Sequence, residues 1–319
     1  MNLKRKKVFA MSFLLIVFCS ILCLAGCEKK NTEKDDGKLK VIATIFSYYD
    51  FVREVGGEHV NVSMLVPAGK EAHSFEPTAA DLIKIEEADV FLYNGGALES
   101  WVPQMLKSLD DVNAVSMMDT VDMELLIAGH SHEEHDHEHE HDASEYDEHI
   151  WTSPANAKKI VTHIVTVLSE TDPDHKDAYE ANGAAYIEKL TALQNEIKEV
   201  VNNAKRKTLI FGDQYPLLYF SEEFGLNYQA AFSGCSADSE PSAATLASLI
   251  DYVAENDVPA VYHIELSQQK IADTICEATG AKKLLFHTCH NVTKEDLANG
   301  VTYLSLMQQN IANLKEGLN

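Results

Sequence analysis

Asp174-His-Lys-Asp-Ala-Tyr-Glu-Ala-Asn-Gly-Ala-Ala-Tyr-Ile-Glu-Lys-Leu-Thr-Ala-Leu-Gln-Asn-Glu-Ile-Lys-Glu-Val-Val-Asn-Asn-Ala204 is the stretch on which the fold turns. It follows Asp172-Pro173, and Gly183 is its one breaker. Tyr186, Leu190, Leu193, Ile197 and Val200 recur at steps of four, three, four and three. That spacing predicts a single amphipathic helix. At 1.5 Å per residue it reaches roughly 45 Å, longer than one small lobe requires. Residues 173–205 therefore read as a strut between two lobes.

On its N-terminal side, short apolar runs at 41–46, 60–66 and 90–93 are each followed by a helical stretch. Thr78 with Asp81 forms a capping box for a helix ending near Glu87. Ser153 as N-cap and Pro154 in the first turn open another, with Ala157, Ile160, Val161, Ile164, Val165 and Leu168 on one face. On its C-terminal side, strands are expected at 208–211, 227–232, 260–264 and 283–287, with helices at 217–224, 242–255 and 268–279 between them and a last helix carrying Leu304, Met307, Ile311 and Leu314. Alternating strand and helix implies parallel sheets covered by helices. The expected fold class is α/β, with two small parallel-sheet lobes, residues 39–172 and 206–319, joined by the long rigid helix. Ligand-capable groups should gather where strands end and helices begin, in the cleft between the lobes.

The first residues have a different character. Lys4, Arg5, Lys6 and Lys7 precede an apolar run at 8–24, then Ala25, Gly26 and Cys27. This is the layout of a signal peptide over residues 1–26. Leu24-Ala25-Gly26-Cys27 resembles a bacterial lipobox, which makes Cys27 the lipidated first mature residue and places the protein outside the cytoplasm on a membrane. Residues 27–38 read as a solvated tether. The 319-residue chain has 26 Lys+Arg against 50 Asp+Glu, a net charge of −24 that becomes −28 without residues 1–26. Such a charge repels a phosphate backbone and argues against nucleic-acid binding. It favours cations.

Six of the 14 histidines, His130, His132, His135, His137, His139 and His141, crowd one acidic loop at 129–148 that holds nine Asp or Glu and almost no apolar residue. It cannot build a core, and its imidazoles suit Zn²⁺, Cu²⁺ or Ni²⁺ as an auxiliary metal tract. A purely solubilising loop is the plainer alternative. His59, His163 and His175 fall on surfaces, and His263 lies within a strand. His73, His149 and His287 each stand at a loop edge beside a strand end or a capped helix, a plausible set of metal ligands.

At these residues the sequence resembles the zinc/manganese solute-binding lipoproteins of ABC transporters. The motifs are His73-Ser-Phe-Glu-Pro-Thr, His149-Ile-Trp-Thr-Ser-Pro, Val41-Ile-Ala-Thr-Ile-Phe, Tyr93-Asn-Gly and Ile271-Ala-Asp-Thr-Ile-Cys-Glu-Ala-Thr-Gly-Ala. The resemblance covers nearly the whole mature chain. It implies a metal buried between two lobes and delivery, as a monomer, to a membrane permease driven by a cytoplasmic ATPase. It also implies His73 and His149 as N-terminal ligands. The family's Phe-His-Asp histidine is absent, since the stretch here reads Phe211-Gly212-Asp213. His287, which falls at the family's fourth position, is expected to replace it, with Asp213 or Glu265 completing the shell. Three imidazoles favour Zn²⁺, while a Mn²⁺ site would carry more carboxylate, so Mn²⁺ is the alternative. Affinity should fall as pH drops through about 6.5.

Cys235 and Cys289 both follow strands of the second lobe. A disulfide between them is expected, with thiolate ligation or two reduced thiols as alternatives. Cys276 reads as a core residue. The competing functional classes are an extracellular zinc hydrolase using the open coordination position, and an adhesin or metal-store lipoprotein. No Gly-x-Ser-x-Gly elbow occurs. The expectation is a binding protein and not an enzyme.

Overall fold

The computed structural model describes residues 37–121, 146–232 and 241–319. The first sheet is built from β1 (Leu39–Ala43), β2 (Val60–Met64), β3 (Val90–Tyr93) and β4 (Ala114–Ser116), in the order β2-β1-β3-β4. All neighbours are parallel, with Val41 opposite both Val62 and Val90. Its helices are α1 (Phe46–Gly56), α2 (Ala79–Glu86) and the short α3 (Val102–Leu106). The Thr78 and Asp81 capping box forms as the spacing predicts. So does the Ser153 cap of α4 (Pro154–Thr171), where the hydroxyl accepts from Asn156 N.

The strut is α5 (Lys176–Asn203), 28 residues or about 42 Å long. A short 3₁₀ turn, Pro173–His175, precedes it. Its buried stripe includes Tyr179, Tyr186, Leu190, Leu193, Ile197 and Val200, as the periodicity requires. Gly183 in mid-helix has a steric cause. A Cβ there would lie 2.2 Å from Val165 Cγ2, so glycine lets α4 and α5 approach closely.

Beyond α5 the same topology returns. β5 (Thr208–Phe211), β6 (Asn227–Ala230), β7 (Ala260–His263) and β8 (Lys282–Leu285) pair in parallel in the order β6-β5-β7-β8. The helices are α6 (Leu218–Phe224), α7 (Ala243–Glu255), α8 (Lys270–Thr279), α9 (Lys294–Ala298) and α10 (Tyr303–Gly317). Last comes the element that knits the lobes. Tyr303 N donates to buried Asp50 on α1 (2.8 Å), Tyr303 OH donates to Trp151 O (2.8 Å), and the Tyr303 ring meets Phe51 edge-on at 4.9 Å. One apolar cluster accordingly runs through both lobes, from Val41 and Phe51 to Phe211 and Leu314. Among the described residues no helix is long and apolar enough to cross a membrane.

In each sheet the chain steps outward from the first strand to one side and then returns to the other. The C-terminal ends of β1 and β3, and of β5 and β7, thus border a crevice. The loops carrying His73, Asn94, Asp213, Glu265 and His290 all leave the C-terminal ends of strands.

Candidate metal centre

Local chemistry places each imidazole. His73 lies in the loop between β2 and the Thr78 cap of α2. His149 precedes the 3₁₀ turn Ile150–Thr152 and the Ser153 cap of α4. Its backbone N donates to Asp147 Oδ1 (3.0 Å), and its carbonyl accepts from Thr152 Oγ1 (2.8 Å). His290 lies past β8 on a loop gripped by the opposite lobe. Phe46 N donates to His290 O (3.0 Å), Ser47 Oγ to Cys289 O (2.5 Å), Trp151 Nε1 to Thr288 O (2.9 Å) and Gly69 N to Val292 O (2.8 Å). Cys289 at φ +61° is in the left-handed region, an unusual conformation for a side chain with a Cβ. There the chain bends between His287 and His290.

His73, His149 and His290 come together. Their ring centroids are 5.3 to 6.0 Å apart, and one ligand nitrogen of each falls within 4.8 Å of the others. His290 and His149 are buried and His73 is nearly so. Trp151 backs two of them, its ring 5.3 Å from His149 and 5.2 Å from His290. The surrounding cavity is also lined by Gln214, Glu265, Thr288 and Asn291.

The donor set fits a borderline metal ion. His290 Nε2 is buried and has no hydrogen-bond partner, an expensive state for a polar atom unless something coordinates it. His149 Nδ1 faces Asp147 Oδ1 at 3.3 Å and His73 Nδ1 faces Glu148 Oε1 at 3.6 Å. Carboxylates behind Nδ1 leave Nε2 as the outward nitrogen, as in carboxylate–histidine–metal arrangements. Burial, reinforced by the neighbouring His149, pushes the His73 imidazole down to about 4. Burial likewise holds His290 well below the usual imidazole range, with His73 and His149 adding to it. Both are therefore neutral at pH 7, the state in which imidazole binds metal.

The structure redistributes the residues expected from the sequence. His287 is not in the cluster. Its backbone exchanges hydrogen bonds with the Asn310 side chain on α10, and its Nδ1 accepts from Cys289 N (3.0 Å). β8 ends at Leu285, two residues before the expected 287, so the loop carries the chain past His287 and brings His290 to the cavity. Glu265 lines the cavity, but its oxygens hold Thr288 N (2.7 Å), the Thr288 hydroxyl and His290 N (3.2 Å). Asp213 accepts from Gln214 N (3.0 Å) and Ile264 N (3.3 Å) and does not line this cavity. The absent Phe-His-Asp histidine has a steric counterpart: a Cβ at Gly212 would lie 2.4 Å from Ala272 Cα. Gln214 is the residue of that loop that reaches the cavity. Cys289 is a buried free thiol, while Cys235, Cys27 and the auxiliary histidines His130 to His141 lie outside the described residues.

Two like-built α/β lobes, a long connecting helix and three clustered imidazoles in the cleft define a cation-binding protein of the two-lobed solute-binding class. The family model "ZnuA: Zinc-uptake complex component A periplasmic" matches residues 41–317, and the chain belongs to that family. Zinc-binding lipoprotein AdcA of Streptococcus pneumoniae is 38% identical over 311 residues, covering 96% of this chain and 60% of that protein. This chain thus spans less than two thirds of that relative's length. High-affinity zinc uptake system protein ZnuA of Bacillus subtilis is 35% identical over 317 residues, covering 96% of this chain and 97% of that protein. The crystal structure of the Zn(II)-bound ZnuA-like domain of Streptococcus pneumoniae AdcA superposes with a TM-score of 0.74 at 36% identity, over 88% of this chain and 99% of that one.

Proposed function

We propose that this protein captures Zn²⁺ outside the cytoplasm and hands it to an ABC permease powered by an ATPase. His73, His149 and His290 are the ligands, each offering Nε2. The observation carrying this reading is the buried, unpartnered Nε2 of His290 within reach of the two N-lobe imidazoles. Glu265 or a water takes the fourth position. Glu265 would have to give up a hydrogen bond to Thr288 or His290 to do so. An all-imidazole set with at most one carboxylate favours Zn²⁺ over Mn²⁺. The names of the family relatives support zinc as cargo.

The protein acts as a monomeric binder and not as an enzyme, tethered by lipid on Cys27, with residues 27–38 as spacer. The His-rich tract serves as an auxiliary collector. Protein purified without added metal is expected to retain about one equivalent of zinc, and a chelator-stripped sample to rebind zinc in strong preference to manganese. Manganese retained in place of zinc, or no metal bound at all, would sink the reading. Restored growth of an uptake-deficient strain at scarce zinc tests delivery.

A further inference from the structure

The motif Tyr93-Asn-Gly and the residue Glu148 take no part in the ligand set, yet they are built around each other. Asn94 Nδ2 donates to Glu148 O (3.0 Å), and Tyr48 OH in turn donates to Asn94 Oδ1. Leu98 N donates to Glu148 Oε2 (2.7 Å). Gly96 has φ +72°, and a Cβ there would crowd Glu148 Oε2 at 3.2 Å and Met118 Sδ at 3.0 Å. The loop after β3 is therefore a cradle for one carboxylate whose side chain is only 8% exposed. Its second oxygen, Oε1, points at His73 Nδ1, 3.6 Å away. A buried carboxylate is costly without a cation nearby, and burial pushes the Glu148 carboxyl up accordingly; among the described residues the imidazoles of His73 and His149 are the basic groups set against it.

We propose that Glu148 is a positioning residue for the metal. Its carboxylate fixes His73 with Nδ1–H turned back toward Oε1 and Nε2 turned into the cavity. It also supplies, from one residue behind the ligand shell, negative charge that imidazole ligands do not carry. Asp147 does the same for His149 at 3.3 Å. The tripeptide Asp147-Glu148-His149 thus provides one ligand and backs two. A dication held by the three rings would complete the charge pattern.

This rests on the zinc-capture reading, and the experiment separates the two. Zinc affinity is measured by chelator competition for the wild-type chain, His73→Ala and Glu148→Gln. Gln keeps an oxygen for Leu98 N and the same shape but removes the charge. The expected loss for E148Q is about 10- to 100-fold, the scale of outer-shell partners of metal-bound histidine. Wild type and E148Q binding zinc equally tightly would overturn the proposal while leaving zinc capture intact. Wild type failing to bind zinc would overturn zinc capture itself. A second measurement needs no variant. Nitrogen-15 NMR of the zinc-loaded wild type should find His73 protonated at Nδ1 and metal-bound through Nε2, and the opposite tautomer would overturn the proposal even if E148Q proved too unstable to assay.

Discussion

The two histidines that flank Cys289 perform different tasks three residues apart. His290 offers a buried nitrogen without a partner, whereas His287 is consumed by Cys289 N and Asn310. His290→Ala should weaken zinc binding by more than the about 100-fold at the top of the outer-shell range. His287→Ala should leave most of the affinity but lower stability by about 1–3 kcal/mol, because Cys289 N would lose its buried acceptor. Equal affinity losses in the two variants, read by chelator competition, would refute this assignment. The pH dependence also belongs to single residues. With His73 pushed down to about 4 and His290 held low, proton competition at these two ligands sets in well below the 6.5 expected of ordinary imidazoles. Zinc affinity should therefore change little through them between pH 7 and about 5 and fall steeply near 4. The metal-free fold carries the matching sign. The unfolded chain takes up protons near 6.5 and the folded His73 only near 4, so acidification through that window costs the apo protein stability on this account. Calorimetric titrations from pH 7 down to about 3.5 check both. A collapse of affinity around 6.5 would contradict the buried-imidazole account.

At the level of elements, capping and periodicity were legible. The Thr78 box, the Ser153 cap and the stripe of α5 all follow from side-chain chemistry within a few residues. The strand β4 and the helix α3 are 3 and 5 residues long, too short to carry a period, whereas the equally short α9 carries a local signal in its Thr293 and Asp296 capping box, the same signature as Thr78 and Asp81. The end of β8 was misplaced for a related reason. Phe286 extends the apolar run of Leu284 and Leu285 up to His287 in sequence, but pairing with β7 stops at Leu285, opposite His263. Close contacts between elements were likewise hidden. Gly212→Ala should destabilise the protein by about 1–3 kcal/mol, since its Cβ meets backbone atoms of α8 rather than a movable side chain. Denaturant unfolding with an unchanged midpoint would show that α8 can shift away without penalty.

On the scale of the whole molecule, the three clustered imidazoles come from both lobes, and the loop bearing His290 is held by hydrogen bonds from the first. Trp151 adds a side-chain tie, through Nε1–H to Thr288 O. Trp151→Phe keeps an aromatic ring against His149 and His290 but leaves that carbonyl unpaired, which should lower apo stability by about 1–3 kcal/mol. Saturating zinc at about 100 times Kd should add about 2.7 kcal/mol to the stability of wild type and variant alike. A variant as stable as wild type without metal would mean the loop is held elsewhere. The sequence alone determined the α/β class, the strut, the paired lobes and two of the three imidazoles, because helix period, strand alternation and caps are encoded within one turn or one strand of the residues concerned. Only the tertiary structure decided that His290 and not His287 faces the cavity, that Gly212 has no room for a side chain, and that Glu148 stands behind His73. Each of these depends on a left-handed residue, a backbone contact or a buried charge pair between segments far apart in the chain, and local pattern carries no record of such distances.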